Sequence, residues 1–345
     1  MSIDARIDPR FDNNIDFLRL LAAVGVVFGH AFVFAGEIDP ITKVISSMDL
    51  PHMDAIHGIS VWFLFFISGY LVSASYAYRH DPKDYLWSRF LRIFPGLFLV
   101  ILLTTLCGVF ITTLSAGDYF TDKTTWKYFT RNILGFSIKY ELPGVFMNNH
   151  STAVNGSLWT IPLELRLYLV VLLLGLCRLF KHLRLLSGIL LALILAQVAY
   201  QHFYNTSGIK IGAGPVPLFL IGSLFFTIRS KLSQRWIWLP LVIAAWFPLR
   251  HVPVAGHVLL LFSFCYAFHL VTKIPKIRLL DVGHSGDYSY GVYLWSAPIQ
   301  QTLVWSGIKG GWTVFAISLV LSLLAGIISW HLVEKRALAF KKKRI

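Results

Sequence analysis

Residues 14–36 read NIDFLRLLAAVGVVFGHAFVFAG, an apolar run whose only titratable interruptions are Asp16, Arg19 and His30. About 20 predominantly apolar residues suffice for a helix to cross the hydrocarbon of a bilayer, so this stretch reads as a membrane span. The rest of the chain follows the same pattern. Hydrophobic residues make up 56% of the 345 and charged residues 14%, against about 45–50% and about 25% in soluble domains. That leaves too little polar surface to cover a water-soluble particle. Disordered, collagen-like and disulfide-stapled classes are excluded by the same composition. Cys107, Cys177 and Cys265 sit in apolar runs without metal or redox spacing; they are expected to be buried apolar residues, and no metal site is expected.

Working outward, ten apolar runs separated by charged or Gly/Pro-containing joints emerge, at about 14–36, 56–78, 95–115, 157–178, 185–203, 211–228, 236–249, 254–272, 288–306 and 312–333. The seventh is short and holds Pro240 and Pro248, which predicts a tilted, broken or partly inserted segment. The fold class expected is all-α, a polytopic integral membrane protein of about ten helices forming a single domain over 1–345. The cations set its orientation. With the N-terminus in the cytoplasm, 21 of the 31 Lys and Arg fall inside, including Arg6, Arg10, Lys273, Lys276, Arg278 and the basic tail 335–345, and eight fall outside, Lys210 among them. An excess of inside cations is the usual bias of membrane proteins, so both termini are expected to be cytoplasmic. The net charge of +14 then reads as topology and contact with anionic lipid, without nucleic acid. The first run is too long for the core of a cleaved signal peptide and is expected to remain as a helix. The one long connection, 116–156, is placed outside; it carries an amphipathic stretch at Trp126–Ile138, and its length suits a lid over an outward-facing site.

Titratable side chains at bilayer depth are costly and mark functional candidates. Arg19 and His30 are 11 positions apart, about three turns plus 20°, so they share a face at a separation of about 16 Å along the axis. Asp16 is expected to pair with Arg19 at i,i+3. Alone, His30 reads as an interior histidine bonded to a carbonyl. Glu164, at a matching depth on its own helix, makes a His30/Glu164 pair geometrically possible; a carboxylate beside an imidazole fixes its tautomer and suits a general base. Arg166, two residues on, faces elsewhere. Arg89 and Arg92 share one helical face just before Pro95, fitting either positive-inside retention or phosphate capture. Trp159, Tyr168, Tyr290, Tyr293 and Trp295 lie near span ends, where aromatic anchors are common.

Five motifs in order resemble the membrane-embedded acyltransferase-3 family over essentially the whole chain. They are Arg19 with His30 in the first span; Phe65-Phe66-Ile67-Ser68-Gly69-Tyr70-Leu71 in the second; Arg89-Phe90-Leu91-Arg92-Ile93-Phe94-Pro95; Ser157-Leu158-Trp159-Thr160-Ile161-Pro162-Leu163-Glu164 with Tyr168; and Ser289-Tyr290-Gly291-Val292-Tyr293-Leu294-Trp295 with Pro298. The chain departs from the family pattern at Ser296, where a histidine is frequent, and at Glu164-Leu165, where two acids are frequent.

The resemblance implies a transferase that moves an acyl group, most commonly acetyl, from acyl-CoA on the cytoplasmic side to a hydroxyl of a surface polysaccharide or its lipid-linked precursor. The setting it implies is the bacterial cytoplasmic membrane, with acyl-CoA as co-substrate, a glycan or glycolipid as acceptor, and no bound cofactor. On this view Arg89 and Arg92, with Arg19 deeper, hold CoA phosphates. His30 either deprotonates the acceptor or carries the acyl group, and Glu164 orients it. Ser68 either lines the acyl path or packs with Gly69 between helices. Trp159, Tyr168, Tyr290 and Tyr293 join the substrate-binding set. The rival class is a transporter or flippase for a lipid-linked saccharide, which would also hold intramembrane Arg, His and Glu. Product chemistry separates the two, because a flippase leaves its substrate unchanged.

Overall fold

Over most of its described residues, each of the ten apolar runs folds as a helix. A computed structural model describes residues 14–48, 55–79, 81–204, 214–232, 235–252, 254–272 and 286–341. Arg6, Arg10, Lys210, Lys273, Lys276, Arg278 and the tail beyond Lys341 lie outside them. All regular structure among the described residues is helical: α1 (Ile15–Phe34), α2 (Pro40–Ser47), α3 (Ile56–Arg79), α4 (Pro82–Cys107), α5 (Ala116–Thr121), α6 (Lys123–Leu134), α7 (Thr160–Leu176), α8 (Leu183–Tyr204), α9 (Pro215–Ile228), α10 (Trp238–Leu249), α11 (Ala255–Thr272), α12 (Ser289–Trp305), α13 (Gly311–Ser329) and α14 (Lys335–Ala339). Among the described residues, six helices are long and apolar enough to cross a membrane, at Ile15–Phe34, Ile56–Tyr78, Pro82–Phe110, Gly156–Leu176, Leu183–Tyr200 and Gly311–Ala339. α9 to α12 fall outside this set. The 12 residues of α10 rise about 18 Å, well short of the about 30 Å of hydrocarbon.

The third span differs most from expectation. Its helix begins at Pro82, where the Asp81 side chain accepts from the backbone N–H groups of Lys83 and Asp84, and it runs through Pro95 instead of starting there. A strong N-cap followed by proline at the first helical position fixes that start, and neighbouring helices support an interior proline in a membrane protein. As a result Arg89 and Arg92 stand well inside a helix and not in a joint.

α1 lies between α3 on one side and α12 and α13 on the other, while α3 packs against α9 as well. Glycines make the α3–α9 contact possible. A Cβ on Gly69 would collide with the carbonyl of Phe219, and one on Gly222 with the carbonyl of Phe66. Ser223 fastens the seam by donating to the Phe219 and Gly69 carbonyls at 3.1 and 3.3 Å. Gly69→Ala is therefore expected to force the two backbones apart and lower stability by about 1–3 kcal/mol, read as a drop in thermal unfolding midpoint in detergent; an unchanged midpoint would contradict this packing.

Connection 116–156 is folded and pinned. α6 starts three residues before the predicted amphipathic stretch and ends at Gly135, whose φ of 72° is the left-handed conformation favoured for a helix stop. Asn132 closes the following turn through two bonds to the Lys139 backbone, at 2.8 and 2.9 Å. From α12, Gln301 donates to the carbonyls of Ser151 and Ala153 at 2.8 and 2.7 Å and accepts from Asn149 at 2.7 Å. Asn155 donates to the Leu294 carbonyl at 2.9 Å. The segment is thus a cap tied to α12 rather than a loose lid. Of the cysteines, Cys265 is buried as expected, but Cys107 and Cys177 are exposed, because apolar character in a membrane helix does not distinguish a lipid-facing side from a core-facing one.

Candidate active site

An elongated cavity of about 450 Å³ runs through the bundle, a volume typical of small-molecule sites. One stripe of α3 forms its long wall: Val61, Leu64, Ser68, Leu71, Ser75 and Tyr78 recur every three or four residues and all line it. From Val61 to Tyr78 the helix rises about 25 Å. Opposite stand Thr160, Glu164 and Tyr168 of α7, one turn apart on a single face. The end near Tyr78 also gathers Asp16 and Arg19 of α1, Ser88, Arg89 and Arg92 of α4, Asp287 before α12, and Leu338 and Lys341 from the C-terminal end of the described chain.

The charges at that end form an ordered chain. Asp287 Oδ2 bonds Arg19 Nη1 and, at 2.7 Å, Arg92 Nη2. Ser289 donates to Asp287 Oδ1 at 2.6 Å. Arg92 also faces Glu334 at 3.9 Å, and Glu334 accepts from Ser329 at 2.8 Å. Glu334 ends a π-helical turn, Trp330–Glu334, a rare form that is frequent at functional sites. Burial acts to raise the Asp287 pKa, but Arg19 and Arg92 prevail and hold the carboxyl well below the usual carboxylate range. The predicted contact of Arg19 with Asp16 is present at 3.9 Å, secondary to Asp287.

Arg89 is differently placed. Among the described residues it has no carboxylate within ion-pair distance. Its guanidinium lies 5.7 Å from the centre of the Tyr168 ring and bonds the hydroxyls of Ser75 and Ser88 at 3.5 and 3.4 Å. Tyr168 donates to Glu164 Oε2 at 3.4 Å and stands 3.5 Å from the Ser68 hydroxyl. Ser68 and Gly69 therefore divide the two tasks open from sequence, Ser68 lining the cavity and Gly69 packing on α9. Tyr290, with Arg92 over its ring at 5.4 Å, donates to the Ile93 carbonyl at 2.9 Å; Tyr293 donates to the Ser157 carbonyl at 2.9 Å. Both line the cavity. Trp159 is outside its lining and 40% exposed. Arg166 is exposed, facing away from the cavity as expected.

His30 and Glu164 are not brought together. Glu164 faces the cavity, where Arg19, Arg92 and Arg89 are its electrostatic neighbours. His30 lies near the opposite end of α1, with its Nδ1 3.0 Å from the Val26 carbonyl and its ring 4.6 Å, centre to centre, from that of His57. Matching depth by residue count does not fix which way each helix turns its side chain, and Glu164 turns towards the arginines. The Val26 carbonyl does for His30 what Glu164 was expected to do. A carbonyl can only accept, so Nδ1 carries the proton and Nε2 keeps its lone pair. His57 is one turn from Val61 on the same face of α3, so the two imidazoles stand about 6 Å beyond the cavity's inner end.

Three residues of this arrangement escaped sequence reasoning: Asp287, Glu334 and His57. Two arginines at bilayer depth require a compensating carboxylate, a signal that points to an acid at the mouth of another span; Asp287 and Glu334 occupy such positions. His57, at the start of the second run, carried no comparable signal.

A family model described as an acyltransferase domain matches residues 12–331. The chain is 27% identical to an O-acetyl transferase of Shigella phage Sf6, over 94% of this chain and 96% of that protein. It is also 27% identical to Nodulation protein 10 of Rhizobium leguminosarum bv. viciae, over 95% of this chain and 94% of the relative. No solved structure matches.

Proposed function

The chain belongs to the acyltransferase-3 family of multi-pass membrane enzymes, and on that premise we propose that it transfers an acetyl group from acetyl-CoA to a sugar hydroxyl of a surface polysaccharide or its lipid-linked precursor. The relative named O-acetyl transferase supports acetyl as the group and oxygen as the accepting atom. The proposed setting is the bacterial cytoplasmic membrane with both termini in the cytoplasm, a reading supported by the excess of cations that orientation puts inside.

The observation that carries the donor reading is the long cavity with Arg89 near one end and His30 beyond the other. A CoA thioester has the matching form, with phosphates at one end, a flexible arm and an acyl group at the tip. Arg89, free of any carboxylate partner among the described residues, takes phosphate; Arg19 and Arg92, already paired with Asp287, Asp16 and Glu334, shape the wall. At the inner end His30 Nε2 accepts the proton of the acceptor hydroxyl, whose oxygen bonds the thioester carbonyl carbon. The C–S bond then breaks, its electron pair leaves on sulfur, and the His30 imidazolium returns the proton to give free CoA thiol. Glu164, through Tyr168, counters the arginine charge beside the pantetheine path.

Arg89→Ala is expected to raise the KM for acetyl-CoA about 10–100-fold, the scale of a charge-assisted hydrogen bond of about 1.5–3 kcal/mol, with little change in unfolding midpoint. Arg89→Lys should recover part of the loss. A donor KM like that of wild type in the alanine variant would remove Arg89 from the donor site.

A further inference from the structure

Two imidazoles stand just beyond the end of the cavity away from the arginines, and nothing in the donor reading uses the second. His57 lies against His30 with ring centres 4.6 Å apart and planes inclined at 53°. The contact depends on the residue beside His30: a Cβ on Gly29 would come within 2.8 Å of the His57 Cβ and 2.9 Å of its Nδ1. Only glycine there lets the His57 ring settle beside α1. The start of α3 is held as well, because the Ile56 N–H donates to Thr42 Oγ1 of α2 at 3.1 Å. Both histidines are only partly buried as residues.

We propose that His57 is an acceptor-binding residue, which holds the sugar hydroxyl against His30 Nε2 while His30 takes its proton. This rests on the donor and base roles given above. If the donor fills the cavity from the arginine end, its acyl tip and the acceptor hydroxyl meet at the level of His30, and His57 stands at that level, its ring against that of His30. The hydroxyl proton points to His30 Nε2, so its oxygen is free to accept, and the neutral His57 imidazole offers one N–H to donate to it. His57 exchanges no proton in the transfer; the proton moves between hydroxyl, His30 and thiolate as already described.

The test is steady-state acetyl transfer by the purified full-length protein in nanodiscs, with acetyl-CoA as donor and a lipid-linked glycan fraction extracted from the producing cells as acceptor. Wild type is compared with His57→Phe, His57→Gln and His30→Asn. Phenylalanine keeps a ring over Gly29 and loses both polar atoms; glutamine keeps a donor and an acceptor. The expected result for His57→Phe is an about tenfold increase in the half-saturating acceptor concentration, equivalent to about 1.4 kcal/mol, with an unchanged KM for acetyl-CoA and partial recovery in His57→Gln. Equal shifts for donor and acceptor, or no shift, in His57→Phe while His30→Asn is inactive would overturn the role of His57 alone. Full activity in His30→Asn would overturn the base reading and this inference with it.

Discussion

Replacing His30 with asparagine is expected to lower the rate of acetyl transfer by about 10²–10⁴-fold, the range supplied by a positioned general base. Asparagine is the informative choice because its amide N–H can still donate to the Val26 carbonyl, the bond made by His30 Nδ1 at 3.0 Å, while nothing replaces the Nε2 lone pair. Helix packing and donor binding should therefore persist, so that kcat falls and the KM for acetyl-CoA stays near its wild-type value. Labelled acetyl retained covalently on wild-type protein without acceptor would convert the base role into a carrier role for the same atom. A kcat near that of wild type would remove His30 from the chemistry.

The second large effect concerns stability. Asp287→Ala strands two guanidiniums that now share one carboxylate, and removing one member of a buried ion pair costs about 3–5 kcal/mol. Asp287 is 19% exposed, so solvent can relieve little of the loss. Arg19 belongs to α1, Arg92 to α4 and Glu334 to the turn after α13, so the network ties these elements to the start of α12. The expected outcome is a lower thermal unfolding midpoint, with Asp287→Asn intermediate because the amide oxygen still accepts a bond. The sign with pH follows from the depressed pKa. The charge of Asp287 contributes its full stabilisation above the ordinary aspartate value of about 4, and that stabilisation is lost as pH falls through the lower folded value. The alanine variant should accordingly lack this acid-side decline. A midpoint equal to wild type at neutral pH would show that the arginines find other partners.

The helices were legible because crossing a bilayer demands long apolar runs, and the described residues of all ten runs are mostly helical. What periodicity could not supply was how far a polar start extends a helix. The Asp81–Pro82 cap carries α4 back through the charged stretch Lys83–Arg92, where composition alone reads a joint. The cavity residues Arg19, Arg89, Arg92, Glu164, Ser68, Tyr168, Tyr290 and Tyr293 were all named from sequence, since charge, hydroxyl and aromatic groups at depth are conspicuous against an apolar background. Their partners were harder to read. Spacing along one helix found Asp16 for Arg19, but Asp287 is 268 positions away, and no periodicity reaches so far. The same limit produced the expected His30/Glu164 contact: residue counts give depth, while the facing direction depends on how α1 and α7 rotate against α3. His57 went unremarked because an isolated histidine at a span boundary looks like any other; the glycine opposite it becomes informative only once α1 and α3 are side by side.

The most direct test of the central claim is to follow both products at once: free CoA thiol released from carbonyl-labelled acetyl-CoA, and label recovered in the lipid-linked glycan fraction, using purified wild-type protein in nanodiscs. The account predicts equimolar release and incorporation, dependent on the glycan fraction. Folded protein that releases no thiol and carries the glycan across the nanodisc-matched vesicle membrane unlabelled would contradict it, and would make Arg19, Glu164 and His30 parts of a permeation path.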